Sequence, residues 1–400
     1  MHESIEIRNF CGIQRAVIDF KPVTVFIGES GTGKSMAMKL RYVFRRVIEA
    51  YENIKAWEAI TGKEPDTPLN SIAVYIFKEY QLLQTNQSTH IIYKYDNRII
   101  ALKFDPDTLF RFEFKNFENP INQLEEPVNR SNNPLQDKRK TRIFSWEPYD
   151  YFSQYFIPEQ RTFFAQFDHS IFTLSRGRNS LNRFLLDYGE IYRSAIFNFN
   201  SIHALINSNI ALLIQGTIEV INGNFFKIIY NDGRVVELEL SASGHQNIVF
   251  LMLTLEELKR KFTTEEKNMV YIEEPELSLF PTAQKQVIEQ LLSVRNEKSN
   301  GIEYTLTTHS PYILTSLNNL ALAGKIIQAH PEKAEDVYKI IPAAHILAPE
   351  DLAAYEFKDG TAQSLMDTET GTIIAENIDQ VSGTLGNEMD ALFRIWHEGM

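Results

Sequence analysis

The chain contains 400 residues, of which 44% are hydrophobic and 12% aromatic, enough for a large core in one or a few domains. A formal net charge of −12 excludes a generally basic surface for nucleic acid, and the single cysteine, Cys11, excludes an internal disulfide. No apolar run reaches the roughly 18 residues of a membrane span, and the polar N-terminus is unlike a signal peptide, so we expect a cytoplasmic protein without a membrane segment.

Three strands are predicted before residue 28. Apolar and polar residues alternate around Ile5 and Ile7, a second apolar stretch includes Val17 and Ile18, and Gly12 lies between them. This pattern predicts two strands joined by a turn, followed by a short buried strand over residues 23–27. After residue 35, apolar side chains recur at helical spacing and predict a helix with one buried face: Leu40, Val43, Phe44, Val47 and Ile48.

The loop between the third strand and this helix has the spacing Gly28-x-x-x-x-Gly33-Lys34-Ser35 of a phosphate-binding loop. Glycines let backbone N–H groups turn towards phosphate oxygens, the lysine places a positive charge near the β- and γ-phosphates, and the serine hydroxyl can ligate Mg²⁺. A chance glycine-rich turn would lack the flanking strand and helix. We therefore predict that a nucleotide is bound by the whole loop: Gly28, Glu29, Ser30, Gly31, Thr32, Gly33, Lys34 and Ser35.

Short elements and loops dominate residues 50–150. Residues 89–95, 98–104 and 109–115 predict a small antiparallel sheet, with Asp96-Asn97 as its first turn, and residues 129–142 predict an exposed loop or linker. A strand that ends at Pro158 is followed by Gln160. That glutamine could touch a metal and an attacking water, and an exposed polar strand end is an equally good interpretation.

Residues 165–215 are predicted to be helical, followed by a meander of three strands within residues 217–240. One helical face would carry Leu181, Phe184, Leu185 and Tyr188. The dipeptides Asn222-Gly223 and Asp232-Gly233 supply the positive φ that two-residue hairpins need.

Two further motifs flank an apolar helix that spans residues 248–258. Ser243 and Gly244 open it and could form an anion site at its N-terminus, although an ordinary capping serine is the better interpretation when they are taken alone. After the helix, the apolar strand over residues 269–272 ends in Glu273 and Glu274. Glu273 would hold magnesium through water, and Glu274 would orient or deprotonate the attacking water. A solvated strand end would look the same, but downstream of a phosphate-binding loop the catalytic interpretation is favoured.

The last motif is a strand beginning at Tyr304 that ends in Thr307, Thr308 and His309. A histidine at this edge could donate a hydrogen bond to a γ-phosphate. A lone histidine is more often structural, so its position after the acid pair is what favours a role in the site.

The order of these motifs resembles that of the ABC-type ATPase heads, as in RecF, SMC and OLD-family proteins, from "IEIRNF" through "TTHSPYIL". It is most similar to the OLD-like group of AAA-type ATPases found in bacterial antiphage defence. The resemblance implies an α/β fold, namely an ABC-type P-loop ATPase head with an antiparallel β-subdomain and a helical insertion. The head would span residues 1–340, with insertions at about 50–150 and 165–215, and residues 341–400 would form a C-terminal extension.

The resemblance also implies a role for each motif. They are a Walker A loop at Gly28–Ser35, a Q-loop at Gln160, a signature at Ser243 and Gly244, a Walker B acid at Glu273, a catalytic Glu274, a D-loop at Glu276–Leu279 and a switch histidine at His309. The cofactors would be ATP and Mg²⁺, with Ser35, Glu273 and Gln160 around the metal. Two subunits would enclose two ATP molecules, so we expect a homodimer or higher homo-oligomer.

Several residues depart from the family pattern. His245 replaces the second glycine of the usual Ser-Gly-Gly-Gln, and Glu273 stands where aspartate is usual, so slow turnover is expected. OLD nucleases carry a further metal domain with an Asp-x-Asp motif, whereas the nearest pattern here is Asp367-Thr368-Glu369. We therefore predict no intrinsic nuclease, and the lack of a long heptad arm argues against an SMC-type rod.

The sequence thus predicts an ATPase that dimerises on ATP and regulates a separate effector, a nuclease or toxin, in antiphage defence. A RecF-like DNA-repair ATPase that binds duplex DNA and a non-hydrolysing, ATP-gated scaffold are the alternatives. The net charge does not indicate DNA. A transporter subunit fits poorly because of the long insertion over residues 50–150.

Overall fold

A computed structural model describes residues 2–61, 69–83, 88–105, 109–117, 152–163, 182–221, 225–262, 267–297, 301–367, 370–374 and 388–389. The strands are β1 (Glu3–Phe10), β2 (Ile13–Phe20), β3 (Val23–Gly28), β4 (Thr89–Tyr95), β5 (Arg98–Asp105), β6 (Leu109–Lys115), β7 (Phe152–Ile157), β8 (Gly216–Ile221), β9 (Phe225–Tyr230), β10 (Val235–Glu237), β11 (Lys267–Glu273), β12 (Ile302–Thr308), β13 (Leu352–Lys358) and β14 (Thr361–Ser364). The helices are α1 (Lys34–Thr61), α2 (Leu69–Glu79), α3 (Arg183–Phe197), α4 (Phe199–Ile214), α5 (Ser243–Lys261), α6 (Pro281–Glu297), α7 (Pro311–Ala329) and α8 (Ala334–Tyr338).

A mixed sheet of eleven strands, in the order β6-β5-β4-β1-β2-β14-β13-β3-β12-β11-β7, forms the centre of the described part. The strands from β13 to β7 run parallel to one another, whereas β1, β2, β4, β5 and β6 pair antiparallel. The predicted α/β fold is confirmed. Because parallel strands end at the same edge, the loops that follow β3, β7, β11 and β12 meet there.

Helix α1 buries both its apolar face and two arginines that lie outside that face. Its five predicted core residues, Leu40 to Ile48, are all fully buried, which confirms the helical prediction. Arg41 and Arg45 on another side of α1 are also buried, and both bind the carboxylate of Glu3 on β1, with an Nη2–Oε2 distance of 2.7 Å in each case. Tyr93 on β4 donates a further hydrogen bond to Glu3 at 2.6 Å. This network joins the helix that follows the glycine loop to two strands.

The predicted small antiparallel sheet is present as β4, β5 and β6, but it is not separate. β4 pairs with β1 from Glu3↔Tyr95 to Arg8↔His90, so these strands extend the large sheet. β1 therefore has a paired strand on each edge, β2 on one and β4 on the other. The predicted turn is confirmed, since Asp96 has φ +52°. Residues 129–142 lie outside the described part.

The helices that were predicted after residue 165 are confirmed where they are described, and so are the three strands of the meander, although the third ends at Glu237 and Leu238–Leu240 form a 3-10 helix. Phe184 and Tyr188 on α3 are buried and Leu185 packs against the core, whereas Leu181 lies outside the described part. β8, β9 and β10 form a separate three-stranded sheet, with Gly233 at φ +88° in the second turn. Asn222 and Gly223 are also outside the described residues.

The C-terminal segment contributes to the large sheet. Residues 352–364, which fall in the segment interpreted from sequence as an extension, form β13 and β14. β13 pairs parallel with β3 along its length, for example Ala354↔Val25, and β14 joins β13 to β2. Among the described residues, none of the helices has the length and hydropathy that crossing a membrane requires.

Candidate functional site

The glycine loop between β3 and α1 is tightly enclosed on one side. A Cβ on Gly28 would lie 2.2 Å from the carbonyl oxygen of Phe357 on β13, and a Cβ on Gly33 would lie 2.4 Å from Cγ1 of Ile13 on β2. Gly31 faces open space, and all three glycines have positive φ. The loop therefore needs glycine for close approach at two positions and for backbone conformation at all three.

Lys34 is held inside this loop. Its side chain is buried, and its ammonium donates hydrogen bonds of 2.7 Å to the carbonyls of both Gly28 and Glu29. Burial lowers the pKa of Lys34, and nearby carboxylates, Glu274 first, oppose this shift. Of the other loop residues, Glu29, Ser30 and Gly31 are exposed, and Thr32 and Ser35 are partly exposed. The loop thus presents its outer face to solvent with a lysine at its centre.

Glu273, at the end of β11, lies against the helix that follows the loop. Its carboxylate is buried, and Oε1 is 2.8 Å from the ammonium of Lys39, one helical turn beyond Ser35. Its Oε2 accepts a hydrogen bond of 3.3 Å from the backbone N–H of Glu159. The predicted metal acid thus contacts the first turns of the helix that also carries the predicted metal-binding serine, Ser35.

Glu274 and His309 are in direct contact. Nε2 of His309 lies 3.0 Å from Oε1 of Glu274, and both side chains are partly exposed. Glu274 has φ +44°, a conformation that costs a residue other than glycine roughly 1–3 kcal/mol and that often occurs at functional sites. The two residues predicted to act on water and on the γ-phosphate are therefore adjacent at the same sheet edge.

Arg161 is a residue whose role sequence reasoning missed. It is fully buried after β7, and its guanidinium donates to the carbonyls of Pro158 at 3.2 Å, Glu273 at 2.9 Å and Glu274 at 2.6 Å. Burial lowers the pKa of Arg161, whereas surrounding acidic groups raise it. The neighbouring Gln160 is exposed. A charged residue within the mostly apolar stretch from Tyr155 to Phe164 was the available signal for a buried arginine.

Glu276 joins the predicted D-loop to the histidine segment. Its buried carboxylate accepts hydrogen bonds through Oε1 from the hydroxyl of Thr308 at 2.5 Å and from the backbone N–H of His309 at 3.0 Å. Burial raises the pKa of Glu276, and these hydrogen bonds oppose the shift. Glu276 therefore fixes the backbone that presents His309.

A second set of hydrogen bonds also connects the predicted D-loop to the histidine segment. The hydroxyl of Ser310 donates to Oε1 of Gln284 at 2.5 Å, and Nε2 of Gln284 donates to the carbonyl of Leu279 at 2.9 Å. Leu279 is the last residue of the predicted D-loop. Both ends of that loop are thus bound to the segment that carries His309.

The Ser-Gly helix start lies on the other side of the D-loop. Helix α5 begins at Ser243, which is exposed, and its cap residue Ala242 makes no side-chain capping bond. A Cβ on Gly244 would come within 2.4 Å of the carbonyl oxygen of Ser278, so glycine is required for packing against the D-loop. His245 lies 2.9 Å from the hydroxyl of Tyr230 on β9, and burial lowers its pKa. The residue that replaces the usual glycine therefore anchors α5 to the small sheet.

Comparison with solved structures found several proteins with low sequence identity. The SMC head domain from Thermotoga maritima is 12% identical, with 91% of this chain and 97% of that chain covered and a TM-score of 0.40. An Smc head domain with an extended coiled coil bound to the C-terminal domain of ScpA, from Pyrococcus furiosus, is 12% identical, with 91% and 95% covered and a TM-score of 0.43. The recombination mediator protein RecF is 11% identical, with 91% and 98% covered and a TM-score of 0.37.

No curated protein matches the chain. A family model described as an AAA ATPase domain matches residues 1–170 and 129–314, which together include the glycine loop, the acid pair and His309. The matched residues make up more than half of the chain. The chain therefore belongs to the AAA ATPase domain family.

Proposed function

We propose that this protein binds ATP with Mg²⁺ and hydrolyses it to ADP and phosphate. The observation that carries the proposal is the contact between Glu274 and His309, at the sheet edge where β3 ends and the glycine loop begins. A nucleotide-binding loop alone would need only Lys34 and the glycines. A carboxylate paired with a histidine beside that loop supplies, in addition, a group that can accept a proton from water.

Each residue has a role that its environment supports. Lys34 would exchange its loop carbonyls for the β- and γ-phosphates, Glu274 would accept the proton of the attacking water, and His309 would orient Glu274 and donate to the γ-phosphate. The hydroxyl of Ser35 and the carboxylate of Glu273 are oxygen donors of the kind that Mg²⁺ prefers, so these residues fit the metal. When bound there, Mg²⁺ would neutralise charge on the phosphates. Gln160, exposed at the end of β7, would complete the metal site.

We further propose that the site is completed by a second copy of the chain. Ser243 begins α5 with backbone N–H groups at an exposed helix N-terminus, a site suited to an anion. In the proposed homodimer, Ser243 and Gly244 of one copy would bind the γ-phosphate held by the Walker A loop of the other. ATP would then favour the closed dimer, and hydrolysis would release it.

In the cell, we propose that the two states regulate a separate effector, a nuclease or toxin, in the manner of the OLD-like antiphage ATPases. The net charge of −12 favours contact with protein over duplex DNA. If DNA were the partner instead, binding would weaken steeply with salt, so a filter-binding assay at low and physiological salt distinguishes the RecF-like alternative.

Substituting Glu274 by Gln tests the proposed hydrolysis. The amide cannot accept the proton, so we expect phosphate release to fall by about a hundredfold or more while a fluorescent ATP analogue still binds. The matched control is Glu335→Gln on an exposed part of α8, which should leave turnover unchanged. Turnover that persists in Glu274→Gln would contradict the assignment, and ATP binding without phosphate release in the unaltered protein would identify a non-hydrolysing scaffold.

A further inference from the structure

Lys39 is a charged residue of the site that has no part in the mechanism described so far. It lies on α1 four residues after Ser35, so both side chains occupy one face of the helix. That face is directed towards Glu273, whose Oε1 lies 2.8 Å from the Lys39 ammonium. Lys39 is thus paired with the carboxylate that is proposed to bind the metal.

The ion pair is shielded from solvent. The side chain of Lys39 is 21% exposed and that of Glu273 is 5% exposed. The ammonium also lies over the rings of Phe156 and Phe184, at 5.7 Å and 5.5 Å from their centroids. Aromatic faces attract cations, so these two rings favour an ammonium near this position even when the carboxylate is otherwise engaged.

Both oxygens of Glu273 therefore have partners, since Oε2 accepts the backbone N–H of Glu159. We propose that Lys39 is a built-in counter-ion of the metal acid, which Mg²⁺ must displace, so that Lys39 sets the metal concentration at which ATP is bound. This inference rests on the proposed function, because it assigns Glu273 to the metal. Lys39 acts here as a positioning residue.

The exchange requires little rearrangement. The four-carbon stem of lysine is flexible, and the two rings remain available to the ammonium when it leaves the carboxylate. Before the exchange, the charges of Lys39 and Glu273 cancel. After it, Glu273 would bind the metal, and the ammonium of Lys39 would remain close enough to repel the metal ion. Removing the positive charge of Lys39 should therefore strengthen metal binding, whereas removing a lysine that only supports the fold would not.

The test measures the Mg²⁺ concentration that gives half-maximal binding of a fluorescent ATP analogue to the full chain. In Lys39→Met, which keeps the unbranched stem to within one atom and removes the charge, we expect this concentration to fall about five- to tenfold. Lys39→Arg keeps the charge and should stay near the unaltered value. Lys285→Met is the matched control, because Lys285 on α6 is an exposed lysine paired with Glu289 at 3.3 Å.

A second readout uses Mn²⁺ alone, followed by electron paramagnetic resonance, and does not depend on ATP. We expect Lys39→Met to bind Mn²⁺ more tightly, and we expect this gain to disappear when Glu273→Gln is added. That result would support the role of Lys39 on its own. If no variant bound the ATP analogue, the proposed function would fail, but the role of Lys39 would still be tested by Mn²⁺. Lys39→Gln replaces Lys39→Met if the latter does not fold. An unchanged or higher Mg²⁺ requirement in folded, charge-free variants would overturn the proposal.

Discussion

Arg161 lies beneath the turn that carries Glu273 and Glu274, and it donates hydrogen bonds to the carbonyls of both. Burying an arginine costs several kcal/mol unless its N–H groups are satisfied. Here the acceptors belong to the very turn in which Glu274 adopts φ +44°. The guanidinium therefore stabilises an unfavourable backbone conformation that presents the carboxylate proposed to be catalytic.

We predict that Arg161→Met lowers kcat about ten- to a hundredfold, because the acid pair would lose the hydrogen bonds that position it. The affinity for an ATP analogue should change far less, since the hydrogen bonds of Arg161 go to Pro158, Glu273 and Glu274, and not to the glycine loop, among the described residues. Arg161→Lys, which can restore one of the hydrogen bonds, should recover part of kcat. Steady-state kinetics give kcat, and a parallel titration gives the affinity for the ATP analogue. An equal loss of kcat and of affinity would indicate general unfolding.

The sequence was informative about residues whose role lies in a local motif. The glycine loop, the acid pair and His309 each stand next to a recognisable strand end, so their convergence at one sheet edge could be predicted. Lys39, Arg161 and Gln284 could not be assigned in this way. Each has a partner far away along the chain: Lys39 and Glu273 are 234 residues apart, Arg161 and Glu273 are 112 apart, and Gln284 and Ser310 are 26 apart. Only the folded sheet shows which group each one meets.

At the scale of elements, the buried carboxylate of Glu3 connects α1 to the strands β1 and β4. Burial by itself would raise the pKa of Glu3, but the adjacent guanidinium groups of Arg41 and Arg45 hold that pKa well below its usual range. The folded state therefore favours the ionised carboxylate more strongly than the unfolded chain does. The stability from this network is fully present above the unfolded pKa of about 4.3 and is lost as pH falls towards the folded value.

We predict that Glu3→Gln lowers the free energy of unfolding by about 3–5 kcal/mol at neutral pH, because two buried arginines lose their carboxylate partner. As pH falls below about 4.3, the difference from the unaltered protein should shrink, because Glu3 then gains a proton in the unfolded chain while it stays ionised in the folded protein. Urea unfolding monitored by circular dichroism at several pH values measures both effects. Glu6→Gln on the same strand, where the glutamate is paired with the exposed Arg8, is the control and should cost less than about 1 kcal/mol.

Local sequence patterns predicted individual strands and helices better than they predicted which strands pair with one another. The alternation in β4, β5 and β6 identified three strands, but a pattern of alternating residues does not state which edge they join. β13 was not predicted because its seven residues follow turn-rich sequence and carry two alanines at buried positions. Small residues suit a strand that is covered on both faces, and they give a weak signal in the sequence.

At the scale of the whole molecule, the predicted D-loop lies between the segment that carries His309 and the start of α5, which are far apart in the sequence. Glu276 binds the backbone of His309 on one side, and Ser278 contacts Gly244 on the other. In the proposed dimer, His309 would sense the nucleotide of its own copy and Gly244 that of the partner. A shift at one nucleotide would reach the other through directly packed backbone.

We predict that two inactive variants complement each other. Lys34→Ala removes the loop cation and Ser243→Arg blocks the helix N-terminus, so each homodimer should lack ATPase activity. After mixing and exchange, activity should return to about a quarter of the unaltered level, because half of the dimers are mixed and each holds one intact site. Measured phosphate release, with differently tagged chains to show that mixed dimers form, checks this. Mixed dimers without activity would place each complete site within a single chain.

The carbonyl of Phe357 against Gly28 has a consequence for synthesis of the protein. One of the two strands that neighbour β3, namely β13, is translated more than 320 residues after it. Until that strand arrives, the backbone of β3 has an open edge and the glycine loop has no wall behind it. A nascent chain that lacks β13 therefore has no Phe357 carbonyl behind Gly28, and the glycine loop can reach its finished shape only after β13 has been made.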